Sequence, residues 1–255
     1  MAPVPQSLDQ RLDELFEKLL HASETSEQPR KKVAIISTPR CGSKFFCESL
    51  ASTRSFGYPA EWMNPSYINA YIRTLKPTAP NLAEYLDFVV RRTTSTNGIF
   101  SLNFHVDQYM YWQKLGFDLF TMNFDKIYRL QRKDKLAQAL SYAKATATGQ
   151  WRSSDRQIQN RSVNQVTTSM IIGALHKISL WDEFYDSHLA RFVDKSYWYE
   201  DYLADASKFH NVLQDCGIEY EGINFSCDVK IQRVAGDETM IEELEKYLGC
   251  GVSRV

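Results

Sequence analysis

Apolar positions recur along this chain in two rhythms, and the changes of rhythm mark its elements. Leu8, Leu12, Leu15 and Leu19 fall at helical spacing behind Ser7-Leu8-Asp9-Gln10, a capping-box pattern, so an amphipathic helix is predicted over 8–20. The rhythm stops over 21–32, which is polar and ends in Pro29-Arg30-Lys31-Lys32, a composition suited to a solvated connection. Val33 to Thr38 is then a short apolar, β-branched run of the kind a buried parallel strand needs. Phe46 and Leu50, one turn apart, predict a helix directly after it.

The same alternation continues. Gly57, Pro59 and Pro65 make 54–65 an irregular loop, and helices follow over 66–75 and 82–92, the second opened by Asn81-Leu82-Ala83-Glu84. After the turn signal Asn97-Gly98, a strand is predicted over 99–105, with Phe100, Leu102 and Phe104 on one face. Its other face, Ser101, Asn103 and His105, points at water or at a site. A helix through Tyr109 and Met110, a strand over 127–131 and a helix bearing Leu136, Ala139, Leu140 and Ala143 come next. Residues 149–155 break regularity, and 156–165 are polar enough for a loop or lid. The stripe Met170, Ala174, Ile178, Trp181, Tyr185 and His188 reads as a core-facing helix. Phe192-Val193 with Ser196 to Tyr199 predicts a further strand ending at Glu200-Asp201, before a helix over 206–216 stopped by Gly217. A loop over 230–237 leads to a last helix through Met240, Leu244 and Leu248. Strands separated by helices predict an α/β domain with a central, mainly parallel sheet flanked by helices. The expected division is an N-terminal helix and polar linker, 1–32, ahead of a single domain over 33–255.

Composition narrows the function. A net charge of −1 leaves no broad electrostatic footprint for nucleic acid, so any phosphate binding must be local. No apolar run is long enough to span a bilayer, and the start of the chain lacks a basic-then-apolar leader, so a cytoplasmic location is expected. The five cysteines include no C-x-x-C pair, and the five histidines have no metal-ligand spacing, so reduced thiols and no protein-built metal site are expected.

Chemistry enters where strand runs end in basic residues. Pro39-Arg40-Cys41-Gly42-Ser43-Lys44 sits between strand and helix, where backbone N–H groups and the positive end of a helix dipole converge. Taken alone, it reads equally as an ordinary turn in which Gly42 only permits the bend. Arg132-Lys133-Asp134 forms a second strand, basic turn and helix, with Ser141 farther along that helix, and an arginine with a hydroxyl can clamp one phosphate. Glu61 is the sole carboxylate of the loop over 54–65. His105 lies at a strand end and reads equally as a hydrogen-bonded structural histidine.

In order along the chain, Pro39-Arg40-Cys41-Gly42-Ser43, Gly57-Tyr58-Pro59-Ala60-Glu61, Arg132-Lys133-Asp134-Lys135-Leu136-Ala137-Gln138-Ala139-Leu140-Ser141, Gln150-Trp151-Arg152 and Tyr199-Glu200-Asp201 resemble the bacterial trehalose sulfotransferase family. That family includes sequences labelled as lipopolysaccharide and nodulation-factor sulfotransferases, and the likeness spans roughly residues 33–248. It implies a P-loop-like three-layer fold and in-line transfer of a sulfuryl group, without a metal, from 3′-phosphoadenosine 5′-phosphosulfate (PAPS) to a hydroxyl, leaving 3′,5′-ADP. By the same resemblance Arg40, Cys41, Gly42, Ser43, Lys44 and Phe45 cradle the 5′-phosphosulfate, Arg132 and Ser141 hold the 3′-phosphate, and Arg233 adds a further donor contact. Arg40 and Lys44 would stabilise charge on the leaving oxygen. Glu61 would be the general base, with His105 as its competitor. The implied partners are a small hydroxyl acceptor, such as a sugar or glycolipid precursor, and a second copy of the chain in a homodimer.

The chain departs from the pattern at two places. Cys41-Gly42-Ser43-Lys44 stands where family members carry Ser-Gly-Ser-Thr, and Asn103 where they carry lysine, so the cation of the strand is expected to have moved to Lys44 on the loop. Tyr58, Trp62, Tyr67, Tyr71 and Trp151 would suit stacking on a sugar, a phenol or a lipid. A P-loop kinase is disfavoured because Phe45 follows Lys44, where a magnesium-binding hydroxyl is needed. A non-catalytic nucleotide-binding protein on the same scaffold is the other alternative.

Overall fold

Four strands, β1 (Lys31–Ser37), β2 (Ile99–His105), β3 (Lys126–Gln131) and β4 (Lys195–Trp198), form one wholly parallel sheet in the order β2-β1-β3-β4. The computed structural model describes residues 7–24, 28–151, 166–219, 225–227 and 237–248. Ser37 pairs with His105 and Ile36 with Arg129, so the carboxyl ends of β1, β2 and β3 lie along one edge. After β1 the chain moves outward to β2 and then crosses back over β1 to β3. The connections from β1 and β3 therefore leave in opposite directions, which opens a crevice at their carboxyl ends.

Helices cover both faces because the sheet presents apolar side chains on each. Ala34, Ile36, Phe100, Leu102, Phe104 and Ile127 face one way, and α1 (Leu8–His21), α3 (Pro65–Leu75), α4 (Leu82–Thr93) and α5 (Val106–Lys114) pack over them. The fully buried Phe16 of α1 packs against Trp62, Tyr71, Tyr85 and Phe88, so α1 is part of this core. Val33, Ile35, Tyr128, Leu130 and Tyr197 face the other way, against α2 (Ser43–Ser52), α8 (Tyr199–Ala204) and α9 (Phe209–Asp215). A third cluster joins α6 (Lys135–Thr148), α7 (Thr168–His188) and α10 (Asp237–Leu248). This is the parallel sheet flanked by helices that the periodicity predicts, in the three layers that the family resemblance implies.

Of its two readings, water or a site, the polar face of β2 takes the second: Ser101, Asn103 and His105 are all buried, with Ser101 Oγ donating to the Phe56 carbonyl at 2.6 Å, Ser37 Oγ to Asn103 Oδ1 at 2.9 Å, and Asn103 lining a cleft with Glu61. Four expectations are corrected. Phe192 belongs to a 3-10 turn, Ala190–Phe192, not to a strand; its ring packs at 4.4 Å on Phe120, and β4 starts only at Lys195. Glu200 and Asp201 lie within α8, and the helix expected over 206–216 is a 3-10 turn, Ala206–Lys208, followed by α9. On α7, His188 is exposed, its ring stacked on Phe184, whereas Ile171, Ala174, Ile178 and Tyr185 are buried.

One buried charge was not anticipated. Arg129, in the middle of β3, pairs with Asp182 at 2.9 Å and Asp186 at 3.1 Å while lying 3.5 Å over the ring of Tyr185. Two carboxylates and an aromatic face compensate the guanidinium that the sheet buries, and they tie α7 to β3.

Candidate active site

The turn between β1 and α2 is built around two left-handed residues, Arg40 at φ 65° and Gly42 at φ 95°. A Cβ at Gly42 would stand 2.1 Å from Tyr199 Cδ2, so only glycine admits both the backbone and the ring. The Cys41 N–H donates to the Thr38 carbonyl at 3.2 Å and is committed to the turn itself. The amides of the first turn of α2 have no acceptor within the helix and concentrate its positive end beside Gly42. Of the residues expected in this cradle, Phe45 contributes only backbone: its ring packs on Tyr199 at 6.0 Å and Phe209 at 5.9 Å. Burial pushes the Cys41 and Cys47 thiols above their ordinary values, so both stay protonated and are not nucleophiles.

The second basic turn lies next to the first. Arg132 Nη1 donates to the Arg40 carbonyl at 3.3 Å, and Arg40 Nε donates to Ser141 Oγ at 2.9 Å. The Arg40 guanidinium, which also donates to the Trp151 carbonyl, thus reaches from the first turn into the seat expected for Arg132 and Ser141. The amides of the turn ahead of α6 are occupied, because Glu200 accepts from Lys133 N at 3.0 Å and from Asp134 N at 3.2 Å, and within the helix Ala137 N donates to Asp134 Oδ1 at 2.8 Å. For an anion here the side chain of Arg132 is the group at hand, its Nε buried without a hydrogen-bond partner. The motif Tyr199-Glu200-Asp201 serves both turns: its ring sits on Gly42 and faces Arg132 at 5.5 Å, while Glu200 and Asp201 hold Lys133. Arg233 lies outside the described residues, as do Arg152 and the polar stretch 156–165.

Glu61 is fixed by its neighbours in sequence. Ala60 joins β2, accepting from the Asn103 N–H at 3.0 Å, and Trp62 is fully buried with its indole N–H on the Tyr58 carbonyl at 3.0 Å. Between these anchors Glu61 accepts from Gln108 Nε2 at 2.7 Å and Asn64 Nδ2 at 3.1 Å, with His105 Nδ1 at 3.7 Å. The other ring nitrogen of His105 is 3.3 Å from Ser43 Oγ, so Glu61, His105 and Ser43 form a line from the loop to the anion turn. Sequence reading missed Gln108 and Asn64. Their signals were local: Gln108 completes a capping box with His105, and Asn64 caps α3.

Glu61, Tyr58, Tyr67, Asn103, Ser43 and Lys44 line one cleft. Lys44 faces the same cleft as Asn103 and also pairs with Glu48 one turn along α2. Of the aromatics expected to meet an acceptor, Trp62, Tyr67 and Tyr71 are buried core residues, and Tyr58 and Trp151 are exposed.

Two cationic turns side by side at the crevice of a parallel sheet, with a held carboxylate on the same edge, define an α/β group-transfer enzyme. The profile of the Stf0 sulphotransferase family matches residues 33–183, more than half of the chain, and the protein belongs to that family. No curated protein matches the chain. Among solved structures it is similar to retinol dehydratase in complex with androsterone and inactive cofactor PAP, and to retinol dehydratase in a complex with retinol and PAP. Each comparison has 14% identity and a TM-score of 0.41, covering 89% and 90% of this chain and 84% of those chains. Among the described residues no helix is long and apolar enough to cross a membrane, and no group of three His, Cys, Asp or Glu side chains could hold a metal ion.

Proposed function

We propose that this sulfotransferase moves a sulfuryl group from PAPS to a hydroxyl of a carbohydrate or related small acceptor, with Glu61 as general base. The observation that carries the reading is the meeting of the two basic turns, joined through Arg132, Arg40 and Ser141, beside the cleft that holds Glu61. A donor with anionic groups at both ends of one nucleotide needs two such seats. The residues present fit it: the buried, unpartnered Arg132 Nε suits a phosphate oxygen, and the amides of the first turn of α2, beside Gly42, offer an anion the positive end of that helix.

Within this reading Arg132 and Ser141 hold the 3′-phosphate, and the turn at Gly42 and Ser43 holds the 5′ end. PAPS supplies the activated sulfuryl group and an anionic leaving group. Lys44 contributes positive charge where the leaving oxygen becomes more negative, while Arg40, whose guanidinium donates to Ser141, brings its charge to the 3′-phosphate seat and not, as expected from the sequence, to the leaving oxygen. Glu61, oriented by Gln108 and Asn64, takes the acceptor proton, with His105 3.7 Å away. We place Lys44 in the role left open by Asn103, since both line the acceptor cleft. A homodimer in the cytoplasm completes the proposal.

The test is turnover of sulfur-labelled PAPS with a panel of sugars, glycolipids and phenols, with ATP as a control donor. Label reaching a sugar from PAPS, and none from ATP, is the expected result. Binding of 3′,5′-ADP without transfer to any acceptor would instead leave a nucleotide-binding protein.

A further inference from the structure

Gln138 is the fully buried polar side chain closest to both turns, and no step above uses it. It lies on α6 between the positions of Arg132 and Ser141, with no solvent exposure. Its Nε2 donates to Thr38 Oγ1 at 2.9 Å and to the Pro39 carbonyl at 2.9 Å. The Pro39 carbonyl can only accept, so the amide nitrogen must face it, and the orientation of the side chain is settled by chemistry. Its Oε1 is then left buried without a donor. A residue kept only to fill space would not leave an oxygen in that position.

We propose that Gln138 is a positioning residue: from the helix that carries Ser141, it holds the 38–41 turn in its anion-binding shape and so links the two seats. The inference rests on the two-seat donor reading. Three contacts fix successive carbonyls of the turn. Thr38 O accepts from Cys41 N–H, Pro39 O from Gln138, and Arg40 O from Arg132. Peptides are planar and none here is cis, so holding the Pro39 carbonyl toward α6 turns the Arg40 N–H away from it. Arg40 is a non-glycine residue at φ 65°, a conformation that persists only where its surroundings impose it. The two arms of that imposition, Gln138 and Arg132, both come from the β3–α6 side, so the shape of the first turn depends on the element that carries the second seat.

The experiment is calorimetric titration of wild type and Gln138→Met with adenosine 5′-phosphate, adenosine 3′-phosphate and 3′,5′-ADP. Methionine keeps the volume and removes the donor. The expected result is about a tenfold loss of affinity, 1.4 kcal/mol, for 3′,5′-ADP and for the 5′-phosphate probe, with the 3′-phosphate probe unchanged. Equal losses for both monophosphates would make Gln138 a packing residue and overturn the proposal, as would no loss at all. Wild type that binds none of the three would overturn the donor reading, a failure recognisable before any variant is made. Should Gln138→Met not melt cooperatively, Thr38→Val removes one of the two acceptors. It is expected to show a smaller loss selective for the 5′-phosphate probe, and an unselective or absent loss refutes the link.

Discussion

Replacing Gly42 by alanine separates two costs that the turn imposes. The backbone cost follows from φ 95°: an L-residue in the left-handed region loses roughly 1–2 kcal/mol. The steric cost follows from Tyr199, whose Cδ2, Cγ and Cε2 would lie 2.1, 2.6 and 2.7 Å from the new Cβ, far inside contact distance. The ring cannot simply swing away, because it packs on Phe45 and faces Arg132, so forced displacement costs roughly 1–3 kcal/mol more. Gly42→Ala is therefore expected to destabilise by about 2–5 kcal/mol in the wild-type background. In a Tyr199→Ala background only the backbone part, about 1–2 kcal/mol, remains. Urea unfolding of the four proteins gives the coupling directly, expected at about 1–3 kcal/mol. Titration with 3′,5′-ADP of the folded variants should show the same coupling in affinity. If Gly42→Ala costs the same in both backgrounds, the ring does not shape the turn and the argument built on Tyr199 is wrong.

Glu61→Gln keeps the hydrogen-bonding volume but removes the base, so kcat should fall by roughly 10²–10⁴-fold with 3′,5′-ADP affinity unchanged; undiminished turnover would move the base to His105. Phe16→Ala empties a fully buried site shared with Trp62, Tyr71, Tyr85 and Phe88 and should cost roughly 3–5 kcal/mol in urea unfolding; a cost under about 1 kcal/mol would mean that α1 is only loosely docked. Asp107 has Oδ1 buried without a partner, and desolvation raises its carboxyl above the ordinary 3.8. Its contribution to stability is thus fully present below that ordinary value and is lost as pH rises through the raised one. Asp107→Asn should accordingly melt higher than wild type near neutral pH, with the gain vanishing below about pH 3.8, as thermal melts across that range would show.

Most elements were legible because their signals are local. The capping box at Ser7, the apolar run of β1, the Asn97-Gly98 turn and the stripe of α7 each declare an element within a dozen residues, and strands alternating with helices imply a parallel sheet. The strand ending at β4 was misplaced at its start because Phe192 has the apolar character of a strand residue, yet finds its partner in Phe120, more than seventy residues earlier in the chain.

The site divided in the same way. Residue types and spacing brought out Arg40, Gly42, Glu61, His105, Arg132 and Ser141 as candidates, since strand-end glycines, cations and carboxylates carry their chemistry with them, and the family resemblance gave them roles. What each one touches was decided by the strand order. With β1 between β2 and β3, the chain's two basic turns become neighbours and Arg40 reaches Ser141; Gln108 and Asn64 converge on Glu61; and Glu200 ties down the turn ahead of α6. Those pairings join residues up to about a hundred positions apart, and only closure of the sheet brings them within hydrogen-bonding distance.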